Sequence, residues 1–156
     1  MKLDWKKLLV CLAIPLVVGG LAALLTGGGM GEYAQFVQPP LSPPGWLFPV
    51  VWAILYLLMG YASYRVLISG APKEDICRAL IFYGAQLFLN FLWPLIFFGL
   101  GWYWVALVVL LALWILVFFT VRTFGRVDEK AADLLLPYIL WLTFAAYLNF
   151  GVALLN

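Results

Sequence analysis

Phe48, Trp52 and Tyr56 recur every four residues. Gln86, Asn90, Trp93 and Phe97 follow at spacings of four, three and four, and Tyr138, Trp141, Ala145 and Asn149 make a third series. In a helix each series lies on one face. Indole and phenol rings offer flat apolar surface with a polar tip, and carboxamides offer both a donor and an acceptor. Three such stripes turned inward describe a pocket for a flat, mostly apolar molecule with a few hydrogen-bonding groups. The amides carry a second reading. Gln86, Asn90 and Asn149 can also bond helix to helix, each worth roughly 0.6–2 kcal/mol.

Other chemistry is excluded. The chain has no histidine, which rules out a His-ligated metal. Its acids all lie outside the apolar stretches, so no acid–base or nucleophilic site is written into them. Cys11 and Cys77 form no Cys-x-x-Cys pair; they read as small packing residues rather than a disulfide.

Helices must position these stripes, and the composition says in what solvent. Of 156 residues 67% are hydrophobic and 10% charged, more apolar surface than a water-soluble domain of this size needs. Five continuous apolar stretches, at about 8–27, 46–68, 77–98, 102–122 and 134–155, each approach the roughly 20 residues that cross a bilayer. They do not alternate as the strands of a membrane barrel would. The expectation is an all-α membrane protein: one domain over 1–156, built as a five-transmembrane-helix bundle. The lysines and arginines agree on its orientation. Lys2, Lys6, Lys7, Arg65, Lys73, Arg78, Arg122, Arg126 and Lys130 all fall at one side of the spans, while Glu32 is the only charge at the other. The positive-inside bias puts the N-terminus in the cytoplasm and Asn156 on the opposite side. The net charge of +2 is thus a topology signal, with no nucleic-acid partner implied. The lysine-bearing start and the Gly19–Ala23 run imitate a signal peptide, but the apolar run is of span length, which favours retention as the first helix.

The connections differ in kind. Gly99-Leu100-Gly101 predicts a tight hairpin between the third and fourth spans. Glu74 and Asp75 are expected to cap the third span, and Asp128 to Asp133 the fifth. Pro94 should bend the third span. The segment 28–45 is long, rich in proline (Pro39, Pro40, Pro43, Pro44) and carries Tyr33, Phe36, Val37 and Leu41. It reads as a stiff lid or a wall of a site rather than a solvated connector. Trp5, Trp46, Trp102 and Trp104 read as interfacial anchors. No internal repeat is visible, so an inverted-repeat transporter has no support.

An ordered set of short motifs resembles one family. It comprises Pro39, Pro43-Pro44-Gly45-Trp46, Phe48, Val51-Trp52, Leu55-Tyr56 and Met59-Gly60. It continues with Gln86-Leu87, Leu89-Asn90, Trp93, Phe97-Phe98, Pro137-Tyr138, Trp141 and Phe144-Ala145-Ala146-Tyr147-Leu148-Asn149. The sequence resembles the TspO/MBR family: translocator protein, formerly the peripheral benzodiazepine receptor, and the bacterial tryptophan-rich sensory proteins.

The resemblance implies a five-helix bundle, often a homodimer, with a pocket opening toward the first loop. It implies a membrane receptor or sensor whose ligands are porphyrins such as protoporphyrin IX, other haem-pathway tetrapyrroles, sterols and benzodiazepine-site drugs. Carried over by motif, Tyr33 and Pro43 would close the pocket. Trp52, Tyr56, Asn90, Trp93, Phe97, Trp141 and Ala145 would line it, joined by Phe48, Gln86 and Asn149 from the stripes above. Some bacterial relatives degrade protoporphyrin in light, and Trp52 and Trp141 match the two tryptophans implicated, giving them a photochemical role. No cofactor is required; a porphyrin would be a ligand. Transport of tetrapyrroles or other apolar ligands is the rival function, and light-dependent porphyrin degradation is another. Two family features are missing. Tyr147 is followed by no basic residue, so the animal sterol pattern at the end of the fifth span is absent, which favours a bacterial inner membrane. No small-xxx-small pair of glycines lies inside a span, so a glycine-driven dimer interface is not written in the sequence.

Overall fold

The computed structural model describes residues 3–27 and 29–156; Lys2 and Gly28 lie outside them. Helix α1 spans Trp5–Leu25, α2 Met30–Gln35, α3 Leu47–Leu67 and α4 Lys73–Pro94, which runs on into a π-helical stretch Leu95–Leu100. Helix α5 spans Tyr103–Val127, α6 Glu129–Leu134 and α7 Leu136–Leu155. Five segments are long and apolar enough to cross a bilayer: Trp5–Leu25, Leu47–Leu67, Lys73–Leu100, Tyr103–Val127 and Glu129–Leu155. The fold class read from the sequence is therefore observed. Several helices outrun their apolar stretches by a turn, because hydropathy marks the bilayer edge whereas capping marks the helix end. Asp4 accepts from the Lys7 N–H at 3.2 Å and starts α1. Asp128 accepts from the Lys130 N–H at 3.0 Å and starts α6. Glu74 and Asp75 lie inside the first turn of α4 and make no cap bond there; Pro72 is the flanking residue. They complement the helix dipole instead.

Large apolar side chains face outward along every span, for example Leu24 (80% exposed), Leu140 (70%) and Val108 (67%). Water would not tolerate that surface; hydrocarbon does. Because lipid removes the hydrophobic drive between helices, close packing of small residues holds them together. Ala62, Ala79, Ala106 and Ala131 are fully buried. At Gly60 an added Cβ would stand 2.6 Å from the Cys11 carbonyl oxygen and 2.8 Å from Leu12 Cα, so α1 and α3 meet backbone to backbone there. Helix α1 packs on α3 and less on α4, α4 pairs with α5, and α5 with α7.

The two ends of the bundle differ. At one end the Tyr64 hydroxyl accepts from the Asp4 N–H at 2.8 Å, and Arg65 pairs with Asp128 at 2.8 Å. This end collects every described lysine and arginine. The other end holds segment 29–45, the Gly101 turn (φ +68°) and the C-terminal turn of α7. Part of the expected loop is helical (α2), and the rest is pinned down. Val37 exchanges hydrogen bonds with the Asn156 side chain at 3.1 Å each. The Tyr147 hydroxyl donates to the Pro40 carbonyl. Pro39 fills the space beside Gly151, where a Cβ would come within 2.5 Å of its ring. Phe36 meets Phe97 and Tyr103 edge to face.

Candidate ligand cavity

Beneath this lid lies a cavity of about 480 Å³, bounded by α1, α2, α3, α4 with its π-helical extension, and α7. That volume is within the roughly 300–1,000 Å³ of small-molecule sites. The three sequence stripes supply its walls because each points inward from a different helix. From α3 come Phe48, Trp52 and Tyr56; from α4 Asn90 and Trp93, with Phe97 on the π-helical turn; from α7 Trp141, Ala145 and Asn149; from the lid Tyr33. Pro94 ends the α-helical ladder, and the π-helical stretch that follows carries Phe97 and Phe98 to the wall. Aromatic contacts link the elements. Phe48 lies 4.8 Å from Tyr33 and 5.8 Å from Trp141, ring centre to ring centre. Trp52 lies 5.5 Å from Tyr56, and Trp93 stacks on Phe97 at 4.9 Å.

Two expected wall residues stand elsewhere. Gln86 is buried behind the cavity, 1% exposed, where its Oε1 accepts from the Tyr138 hydroxyl at 2.7 Å. Its helix face is right, but it sits one turn too deep, below Asn90. Pro43 stands behind Tyr33, whose hydroxyl donates to the Pro43 carbonyl. Burial pushes the Tyr33 phenol above its ordinary pKa, the nearby Ser42 hydroxyl working the other way. It stays a neutral donor, holding the lid, through the physiological range.

The amides prove to be structural bridges as well as wall. Asn90 Oδ1 accepts from the Tyr56 hydroxyl at 2.8 Å, and its Nδ2 donates to Tyr138 at 2.7 Å. Asn149 Oδ1 accepts from Trp93 Nε1 at 3.0 Å, and its Nδ2 donates to the Tyr103 carbonyl at 3.0 Å. Trp141 lines the cavity while its Nε1 is buried without a partner. Among the described residues no carboxylate, amine or guanidinium is part of the wall, so shape, stacking and neutral hydrogen bonds are what it offers a ligand.

The stripes did not reveal the contribution of α1: Leu16, Gly19, Gly20, Ala22, Ala23 and Thr26 form one side of the cavity. This helix has no aromatic or amide stripe, and the usable signal was its run of small residues. Gly19 matters most, since a Cβ there would lie 2.2 Å from the Tyr56 ring. Pro49, Ala53, Pro94, Phe98, Leu148 and Val152 also join the wall. A depression on the outer face of α4 is lined by Lys73, Cys77, Arg78 and Phe82 and their helix neighbours only; no second element closes it. Among the described residues no group of acids and cysteines is placed to hold a metal.

A bundle of five membrane helices around a lidded aromatic cavity defines a class of integral membrane protein, and the comparisons with known proteins name it. The TspO/MBR family model matches residues 11–155. Tryptophan-rich protein TspO of Chlorobaculum tepidum is 38% identical over 150 residues, covering 96% of this chain and 95% of the relative. The tryptophan-rich sensory protein of Cereibacter sphaeroides is 38% identical over 156 residues, covering 100% and 95%. The translocator protein of Homo sapiens is 41% identical over 130 residues, covering 81% and 75%. The chain belongs to the TspO/MBR family and is a multi-pass integral membrane protein.

Proposed function

We infer that this protein is a membrane receptor or sensor that binds a flat, mostly apolar ring system with a few polar groups at its edge, a porphyrin or related tetrapyrrole, in the lidded cavity. The observation that carries the reading is the convergence of Trp52, Trp93 and Trp141 with Asn90 and Asn149 on one uncharged cavity. Relatives named sensory protein and translocator protein support the same role. The basic end faces the cytoplasm of a bacterial inner membrane, and the lid faces the opposite side. A wall without acids or amines weighs against ion-coupled transport, which places ionisable groups along the path. Protoporphyrin IX should quench the tryptophan fluorescence saturably, and Asn90→Leu should weaken the binding about tenfold by removing one polar partner and unpairing Tyr56. Quenching that never saturates, or is indifferent to Asn90, would overturn the reading.

A further inference from the structure

Four hydrogen bonds behind the cavity form a single chain with a direction. Gln86 Nε2 points at Met59 Sδ at 4.0 Å; Tyr138 donates to Gln86 Oε1 at 2.7 Å; Asn90 Nδ2 donates to Tyr138 at 2.7 Å; Tyr56 donates to Asn90 Oδ1 at 2.8 Å. Met59, Gln86, Tyr138 and Asn90 are all buried, from 0 to 4% exposed. An amide can face either way, and its partners decide which. Here the deciding partner is the thioether at the dry end, which accepts and cannot donate. Gln86 therefore turns its NH₂ to the sulfur and its oxygen to Tyr138. Tyr138 has one proton, gives it to that oxygen, and is left to accept from Asn90. The oxygen of Asn90 then faces Tyr56, which must donate to it.

The consequence is felt at the cavity. With its only proton committed to Asn90, the Tyr56 hydroxyl has lone pairs alone to offer a ligand. Asn90 Nδ2 has a second N–H with no partner among the described residues. An acceptor and a donor thus stand side by side, both on residues of the cavity wall. We propose that Met59, acting through Gln86 and Tyr138, fixes the polarity of the Tyr56–Asn90 pair, so that the cavity selects a ring whose edge carries an N–H beside a carbonyl, a cyclic amide. Met59, Gln86 and Tyr138 are positioning residues; Tyr56 and Asn90 make the contact. The proposal rests on the cavity being a ligand site.

The test compares 2-quinolinone, a cyclic amide, with coumarin, the same bicycle with oxygen in place of N–H. Both are titrated calorimetrically into the detergent-solubilised protein, with protoporphyrin IX as reference. The wild type should prefer the quinolinone about tenfold, since the coumarin ring oxygen would set lone pair against lone pair at Tyr56. In Gln86→Leu the Tyr138 proton is released, the Asn90 amide can turn, and the preference should shrink to within about twofold. Met59→Leu should move it the same way. Gln86→Glu is the rescue. Its carboxyl stays protonated in so dry a place, keeps a carbonyl toward Tyr138 and an O–H toward the sulfur, and should retain the preference. Thermal melting of each variant separates this from loss of fold, because a merely structural role would weaken both ligands alike. Protoporphyrin IX binding without a quinolinone preference in the wild type, or a preference that survives in Gln86→Leu, overturns the proposal alone. Failure of the wild type to bind either protoporphyrin IX or quinolinone overturns the ligand-site reading and the proposal with it.

Discussion

Replacing Gly19 by alanine tests whether α1 is truly a wall of the cavity. The new Cβ would lie 2.2 Å from Tyr56 Cε2 and 2.6 Å from its Cζ. Carbon atoms rest at about 3.5 Å or more, so ring and helix must part by about 1.3 Å. The ring is not free to give way, since its hydroxyl is held by Asn90 at 2.8 Å and its face by Trp52. A displacement of that size breaks the Tyr56–Asn90 bond and leaves a buried amide oxygen unpaired, which together cost about 2 kcal/mol. The affinity for protoporphyrin IX should therefore fall about thirtyfold. Gly84→Ala on α4 is the internal control, because its Cβ would meet nothing within 4 Å and the residue is not part of the cavity wall; it should bind normally and be slightly more stable. Fluorescence titrations of the two variants side by side give the answer. Equal affinities in both would refute the reasoning, and with it the claim that α1 shapes the site through Tyr56.

Asp128→Ala removes both the α6 cap and the partner of Arg65, whose side chains are only 15% and 18% exposed; stability in detergent should drop by about 2–3 kcal/mol, read from denaturant unfolding. Gly151→Val drives a side chain into Pro39 and should lift the lid, making segment 28–45 a faster protease target and weakening protoporphyrin IX binding about tenfold. Because burial raises the Tyr33 pKa, an undocked lid ionises at the ordinary phenol value of about 10 and a docked one only higher. Docking is thus fully favoured below pH 10 and lost as the pH rises beyond it; proteolysis of the lid should accelerate there in wild type, and Tyr33→Phe should abolish that pH dependence.

The sequence was most legible where one signal had one physical cause. Continuous apolar runs could only be membrane helices, and the 3.6-residue period placed Trp52, Asn90 and Trp141 on inward faces. Depth was harder. Gln86 and Asn90 share a face, yet only the structure shows that Asn90 reaches the cavity while Gln86 serves the layer behind, because periodicity fixes direction and says nothing of distance from a void. Helix α1 was illegible for the opposite reason: Gly19, Gly20 and Ala23 act by what they leave out. The prolines led to the reading of that segment as a lid, but its attachment was not legible, since Pro39 on Gly151 and Val37 on Asn156 join residues more than a hundred positions apart.

Every described ionised side chain lies toward the ends of the helices or in the turns between them, none along the middle of a span. An electric field across the bilayer exerts force only on charge, about 2.3 kcal/mol per elementary charge moved through 100 mV. Among the described residues the middle of the bundle offers that field no ionised side chain to move. A neutral molecule resting between its indoles would be held equally well in an energised and a depolarised cell, so occupancy would follow ligand concentration alone and be blind to voltage.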